Sequence, residues 1–172
     1  MPKACPELRG GGFRVENDEI LLTQEGHDRL QRELLHLTSV ERPEASARVR
    51  ETKRSVEDFD TSEYENAKMD QAVVEGRILE LQSILRRSSI IAEDDIPMKH
   101  VGVGSRVRVI DQDSGEAWEL QIVGPIEADP SEDRISFESP VGRALMGKKI
   151  RDTIEVVAPA GRIHYKVTKI RR

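Results

Sequence analysis

The chain has 172 residues, of which 37% are hydrophobic, 3% aromatic and 34% charged, with a formal net charge of −5. So little apolar material excludes one large globular core, and much of the chain has to be thin or exposed. The acidic balance excludes a protein that grips a duplex by bulk positive charge, and no sequence-specific DNA recognition is expected.

Residues 1–19, with Gly10-Gly11-Gly12 and two prolines, read as a flexible N-terminal extension. A helical stretch opens at Thr23, a good N-cap, followed by Gln24 and Glu25, whose acidity suits a helix N-terminus. Leu30, Leu34 and Leu37 repeat at spacings of four and three. As helix, residues 24–55 extend ~48 Å, with Pro43 expected to bend or break the arm. In the second stretch Ala67, Gln71, Val74, Ile78, Leu81 and Leu85 form one narrow apolar seam, the pattern of two helices lying against each other. Gly76 weakens this arm locally. Reflection about residues 58–59 matches the two arms in length, as an antiparallel hairpin requires. By pattern alone, such a hairpin is a coiled-coil spacer or a dimerisation device.

Between the arms lies an acidic turn. Glu57, Asp58, Asp60, Glu63 and Glu65 fall within nine residues with no lysine or arginine among them. Arg48, Arg50, Lys53 and Arg54 precede it, and Lys68 follows. Carboxylates at the end of a thin rod can be delivered into a narrow place, and carboxylate and water oxygens suit magnesium.

After Glu93-Asp94-Asp95 and Pro97, which mark a joint, the period changes. Arg106–Ile110 and Trp118–Val123 alternate around an Asp113-Ser114-Gly115 turn, which reads as a hairpin. Residues 134–137, 153–157 and 163–170 read as further strands. Pro140 to Met146, capped by Ser139, is the helical candidate between them, and Pro159-Ala160-Gly161 supplies the last turn. The expected fold class is α+β, with three parts: an extension over 1–19, an antiparallel coiled coil over 20–95 with its acidic tip near 57–60, and a small antiparallel-sheet domain with one short helix over 96–172. Charge divides unevenly: residues 1–95 carry 14 basic and 21 acidic side chains, residues 96–172 carry 13 and 11.

Catalytic signatures are scarce. There is no HExxH, GxSxG, Walker loop or CxxC, and Gly102-Val103-Gly104 precedes a strand where a nucleotide loop needs a helix. The four histidines are scattered. A self-contained enzyme is not expected. Cys5 is the one cysteine, so no internal disulfide forms. With no long apolar run and no apolar signal-peptide core, no membrane association and a cytoplasmic location are expected.

Several blocks in order carry a resemblance. Ser62-Glu63-Tyr64-Glu65-Asn66-Ala67-Lys68, followed by Glu75-Gly76-Arg77-Ile78, resembles the second coiled-coil arm of the bacterial transcript-cleavage factors GreA and GreB. Leu22-Thr23-Gln24-Glu25-Gly26 and Arg42-Pro43-Glu44 are similar to the family's first arm. The run from Ser139 to Lys148, with Ala158-Pro159-Ala160-Gly161, is similar to its C-terminal signatures. The resemblance implies an FKBP-like globular domain that docks at the rim of the RNA polymerase secondary channel, with Ser139 and Pro140 in the docking part. It implies a tip that helps hold a second Mg2+, shared with the polymerase, so that the polymerase cleaves its own backtracked RNA.

At the tip this chain departs from the family pattern of Gly-Asp-Leu/Phe-x-Glu/Asp-Asn-x-Glu-Tyr. Aligned without gaps from Glu63-Tyr64, the key carboxylates are Glu57 and Asp60; in a turn one residue shorter they are Asp58 and Asp60. A tip of crowded acids around one aromatic also resembles the Gre-factor homologues that inhibit the polymerase. Arg50, Lys53 and Arg54 lie within about two turns of the acids. They can contact phosphates of the nascent RNA or pair with the tip carboxylates. A prolyl isomerase stays open as another reading of the C-terminal half, but such a site needs an aromatic-lined pocket and residues 101–172 offer only Trp118, Phe137 and Tyr165, so that reading rests on fold analogy alone.

Overall fold

A computed structural model describes residues 20–55, 61–158 and 161–172. The N-terminal extension over 1–19 lies outside the described residues, as do residues 56–60 and Pro159-Ala160 of the last expected turn.

Strand β1 (Ile20–Leu22) leads into helix α1 (Gln24–His36). Thr23 is in extended backbone and its hydroxyl accepts from the amide of Gly26, so the expected cap forms. A π-turn (Leu37–Glu41) follows, and α2 (Arg42–Ser55) continues directly from it. Pro43 therefore does not end the arm. Proline has no N–H to give, and its ring crowds the carbonyl four residues back. The wider turn absorbs both defects: the Arg42 amide donates to the carbonyl of Leu37. The hydroxyls of Thr38 and Ser39 donate to the carbonyls of Leu34 and Leu35 at 2.8 and 2.6 Å.

Helix α3 (Thr61–Arg87) has 27 residues and spans about 40 Å. On its expected seam Ala67, Ile78 and Leu81 are buried, while Gln71, Val74 and Leu85 are half-buried. Most of this burial is at the base, where Leu22, Leu30, Leu37, Ile78, Leu81 and Ile84 form one cluster. Each such side chain contributes ~1.5–3 kcal/mol on burial. Toward the turn the arms are joined instead by polar pairs, each worth at most about 1 kcal/mol when exposed. Strand β2 (Ser88–Ile90) closes the hairpin by pairing in parallel with β1. Three-residue strands carry no readable alternation, and nothing in the sequence signalled this pair.

The second half is a five-stranded sheet of order β5-β4-β3-β7-β6, made of β3 (Arg106–Asp111), β4 (Ala117–Val123), β5 (Arg134–Ser136), β6 (Thr153–Ala158) and β7 (Gly161–Arg171). The helix α4 (Pro140–Leu145) packs beside it. The expectation of a purely antiparallel sheet needs one correction, because β5 pairs with β4 in parallel. The connection between them makes two 3-10 turns, Pro125–Glu127 and Pro130–Glu132, which bring the chain back so that β5 starts at the same end as its neighbour. The core gathers Val101, Val107, Val109, Ile122, Leu145 and Val167 on one face, with Tyr165 at its edge against Trp118, ring centroids 5.7 Å apart. Burial raises the Tyr165 phenol above its ordinary value. Among the described residues no helix is long and apolar enough to cross a membrane.

Candidate functional site

The acids on which the functional reading turns, Glu57, Asp58 and Asp60, lie outside the described residues, as does the side chain of Arg54. Their flanks, however, fix the register of the arms. Arg42 donates to Glu75 at 2.7 Å, Gln71 to Ser46 at 3.1 Å and Arg48 to Asp70 at 3.2 Å. Averaging the two residue numbers of each pair gives 58.5, 58.5 and 59. The three bonds nearest the turn thus centre on the mirror point read from the sequence, whereas Arg77 to Glu33 at 2.7 Å, on the base side of the π-turn, averages 55; by number, Glu57, Asp58 and Asp60 fall on either side of that mirror point.

The arms near this end are thinly packed. Ala67 is buried between them, Val49 and Thr52 are half-buried, and Lys68 sits over the ring of Tyr64 at 5.4 Å. The Glu75 carboxyl is held below its ordinary value by the hydrogen bond from Arg42, which is itself raised by the same partner. Arg50 and Lys53 are exposed, and neither forms an ion pair with a described residue. Among the described residues no three His, Cys, Asp or Glu side chains converge as a metal cage.

The other end of the rod is clamped by a residue that sequence reading missed. Glu127 is 1% exposed, and its carboxylate lies at the N-terminus of α1. It accepts from the Thr23 amide at 3.1 and 3.2 Å and from the Thr23 hydroxyl at 2.6 Å. A negative charge there is favoured by the helix dipole. Gly26 is what lets it in, since a Cβ at that position would lie 1.3 Å from Oε1 of Glu127. The Glu127 carbonyl in turn accepts from Arg29 and Arg134, each at 3.2 Å. Arg134 also pairs with Glu132 and, at 3.1 Å, with Asp129. The Ser131 hydroxyl, ahead of this arginine, holds the Asp129 carboxyl below its ordinary value. Arg106 reaches Glu25 at 3.3 Å across the same joint. The cleft left here is about 160 Å³, with Arg29, Arg32 and Arg134 facing Glu25, Glu127 and Glu132. That is well below the ~300–1,000 Å³ of ligand pockets, and its charges balance. It is a joint between rod and sheet. No periodicity marks Glu127, because it lies in an irregular loop and its partners are about a hundred residues away.

Ser139 and Pro140 occupy the expected turn. The Ser139 hydroxyl accepts from the Gly142 amide at 3.0 Å and Pro140 begins α4. Pro140 is exposed, whereas Ser139 is half-buried and committed to its cap.

Two family models match this chain: that of the transcription elongation factor N-terminal domain over residues 20–90, and that of the GreA/GreB C-terminal domain over residues 96–172. The chain belongs to the GreA/GreB family of transcription elongation factors. The transcription elongation factor GreA of Acetivibrio thermocellus is 44% identical over 156 residues, covering 91% of this chain and 98% of the relative. That of Clostridioides difficile is 43% identical over 157 residues, covering 91% and 99%. Among solved structures, the GreA factor homolog 1 (Gfh1) protein of Thermus thermophilus is 34% identical, covers 90% of this chain and 99% of its own, and has a TM-score of 0.43. In this GreA/GreB chain the rod and the sheet are therefore matched on both sides of the joint that Glu127 closes.

Proposed function

We propose that the chain is an accessory factor of bacterial RNA polymerase, with the polymerase supplying the chemistry. Its rod enters the secondary channel and brings the carboxylates of the tip to the active site, where the polymerase cleaves its own backtracked RNA. The observation that carries this reading is the arm register, whose mirror point at 58–59 falls among Glu57, Asp58 and Asp60 while the opposite end is locked by Glu127. A rod about 40 Å long, thin and polar toward its far end, suits a narrow channel better than a globular partner surface.

In this reading Glu57 and Asp60, or Asp58 and Asp60 in the shorter register, give hard oxygen ligands to a magnesium ion shared with the polymerase. When bound, such an ion stabilises attacking and leaving oxygens in phosphodiester hydrolysis. Arg50 and Lys53, exposed and without ion-pair partners among the described residues, hold phosphates of the nascent RNA, and Arg54 is placed by its number to do the same. Pro140, beside the Ser139 cap, belongs to the docking surface.

The test adds the protein and magnesium to a stalled, backtracked elongation complex and follows RNA length. Shortened RNA is the expected result. A second reading rests on the tip sequence, where Val56 and Thr61 stand in place of the family glycine and asparagine. In that reading the acids occupy the active-site region and inhibit. Slowed elongation with RNA of unchanged length would select it.

A further inference from the structure

Helix α3 carries a second stripe that the hairpin does not use. Its seam toward the first arm runs through Ala67, Gln71, Val74, Ile78, Leu81 and Leu85. At the same four-and-three spacing, but on the opposite side of the helix, stand Met69, Ala72, Gly76, Leu79 and Ser83, with Val73 beside them. Met69 is 69% exposed, Val73 67% and Leu79 64%, and Ala72 and Gly76 are exposed as well. The outer face of a two-helix rod in water should be charged. This one bares non-polar residues over about 15 Å of its length.

The charge order along α3 says what suits this stripe. The helix begins with Glu63 and Glu65 and ends with Arg86 and Arg87, all exposed and none ion-paired with a described residue. Two copies of α3 laid parallel would set acid against acid and arginine against arginine. Laid antiparallel, the acidic start of each copy meets the basic end of the other, and the two helix dipoles oppose. The acids that border the stripe midway do not disturb this, because Glu75 is engaged by Arg42 and Glu80 by Arg77. Residue 74 is the midpoint of Thr61–Arg87, so an antiparallel register centred there overlaps the whole helix. The same register sets Met69 against Leu79 of the other copy, and Ala72 against its Gly76. A Cβ at Gly76 meets nothing within its own chain. Two small residues face to face let the helix axes approach to ~8 Å, with Met69 and Leu79 closing over the contact on either side.

We propose that the outer face of α3 pairs with the same face of a second copy of this chain, antiparallel about a two-fold axis at residue 74. Such a contact is isologous, so one stripe serves both copies. A second copy is the occupant that fits, because the charge order and the match of Met69 to Leu79 are each self-complementary. An antiparallel helix pair of this length buries on the order of 1,000 Å² in total, below the ~1,200–2,000 Å² of stable interfaces. The dimer is therefore weak and forms as concentration rises. In a pair, each tip lies beside the other copy's base. On the reading of the rod given above, a paired rod is too wide for a narrow channel, so pairing holds the factor in reserve; the association itself does not rest on that reading.

The experiment is sedimentation equilibrium of the full chain, without polymerase, from about 5 µM to about 1 mM. The average mass is expected to rise from that of one chain toward that of two. Met69→Lys alone and Leu79→Glu alone should each weaken association at least tenfold. Both side chains are about two-thirds exposed, so circular dichroism and the midpoint of unfolding of the dilute variants should match the parent, which separates lost pairing from lost fold. An equal mixture of the two variants should associate more tightly than either alone, because position 69 of one copy then faces position 79 of the other with opposite charge. A parent that stays monomeric at the highest concentration would overturn the proposal and leave the stripe to a different partner. Dimerisation of both variants as strong as the parent's would overturn it by placing the contact elsewhere. A mixture no tighter than its components would overturn the antiparallel register.

Discussion

Replacing Glu127 by Gln tests whether the joint is held as the structure has it. The carboxylate accepts three contacts from Thr23, the shortest at 2.6 Å, and is almost fully buried. Glutamine keeps the shape but turns one acceptor into a donor that faces an N–H or O–H already donating. Hydrogen bonds to a charged group are worth ~1.5–3 kcal/mol, and the favourable charge at the α1 N-terminus adds ~0.3–1 kcal/mol. A loss of about 2–3 kcal/mol is therefore expected, with faster hydrogen exchange at the Thr23 amide. Thr23→Val removes the hydroxyl that both donates to Glu127 and caps α1, so the two changes share an interaction. In a double-mutant cycle followed by denaturant unfolding, the coupling should exceed ~1 kcal/mol. Additivity within ~0.5 kcal/mol would refute the reasoning, because the two side chains would then not depend on each other.

Glu57→Ala with Asp60→Ala should leave stability within ~0.5 kcal/mol and polymerase binding intact while transcript cleavage falls at least tenfold; if the shorter register holds, Asp58→Ala is the damaging single change. Gly76→Ala should stabilise α3 by about 0.5–1 kcal/mol, since a Cβ there meets nothing, and an unchanged or lower midpoint of unfolding would contradict this. The Arg42–Glu75 pair depresses the Glu75 carboxyl below its ordinary 4.5, so its contribution is present above that value and is lost as pH falls through the lower folded value. The acid limb of the stability curve should accordingly flatten in Arg42→Ala, and an identical limb would refute the link. Pro140→Glu should weaken binding to polymerase with α4 preserved, whereas Ser139→Ala should cost ~1 kcal/mol as a lost cap; circular dichroism and a pull-down separate the two effects.

By itself the sequence determined what rests on local period and chemistry. The four-and-three repeat from Ala67 to Leu85, the cap at Thr23, the turn at Gly115 and the Ser139-Pro140 start of α4 all depend on neighbours within a few residues. The arm register was legible for the same reason, since a hairpin is fixed by counting outward from its turn. Tertiary structure decided the rest. The π-turn ahead of Pro43 depends on the partner helix keeping the arm continuous, the parallel course of β5 depends on two turns in an irregular loop, and β1 with β2 joins residues 20 and 88, far apart in the chain. Glu127 is the clearest case, because its role exists only once the loop meets Thr23 and Gly26 104 and 101 positions earlier. A carboxylate in a loop has no periodicity. Its meaning is set by what it is buried against.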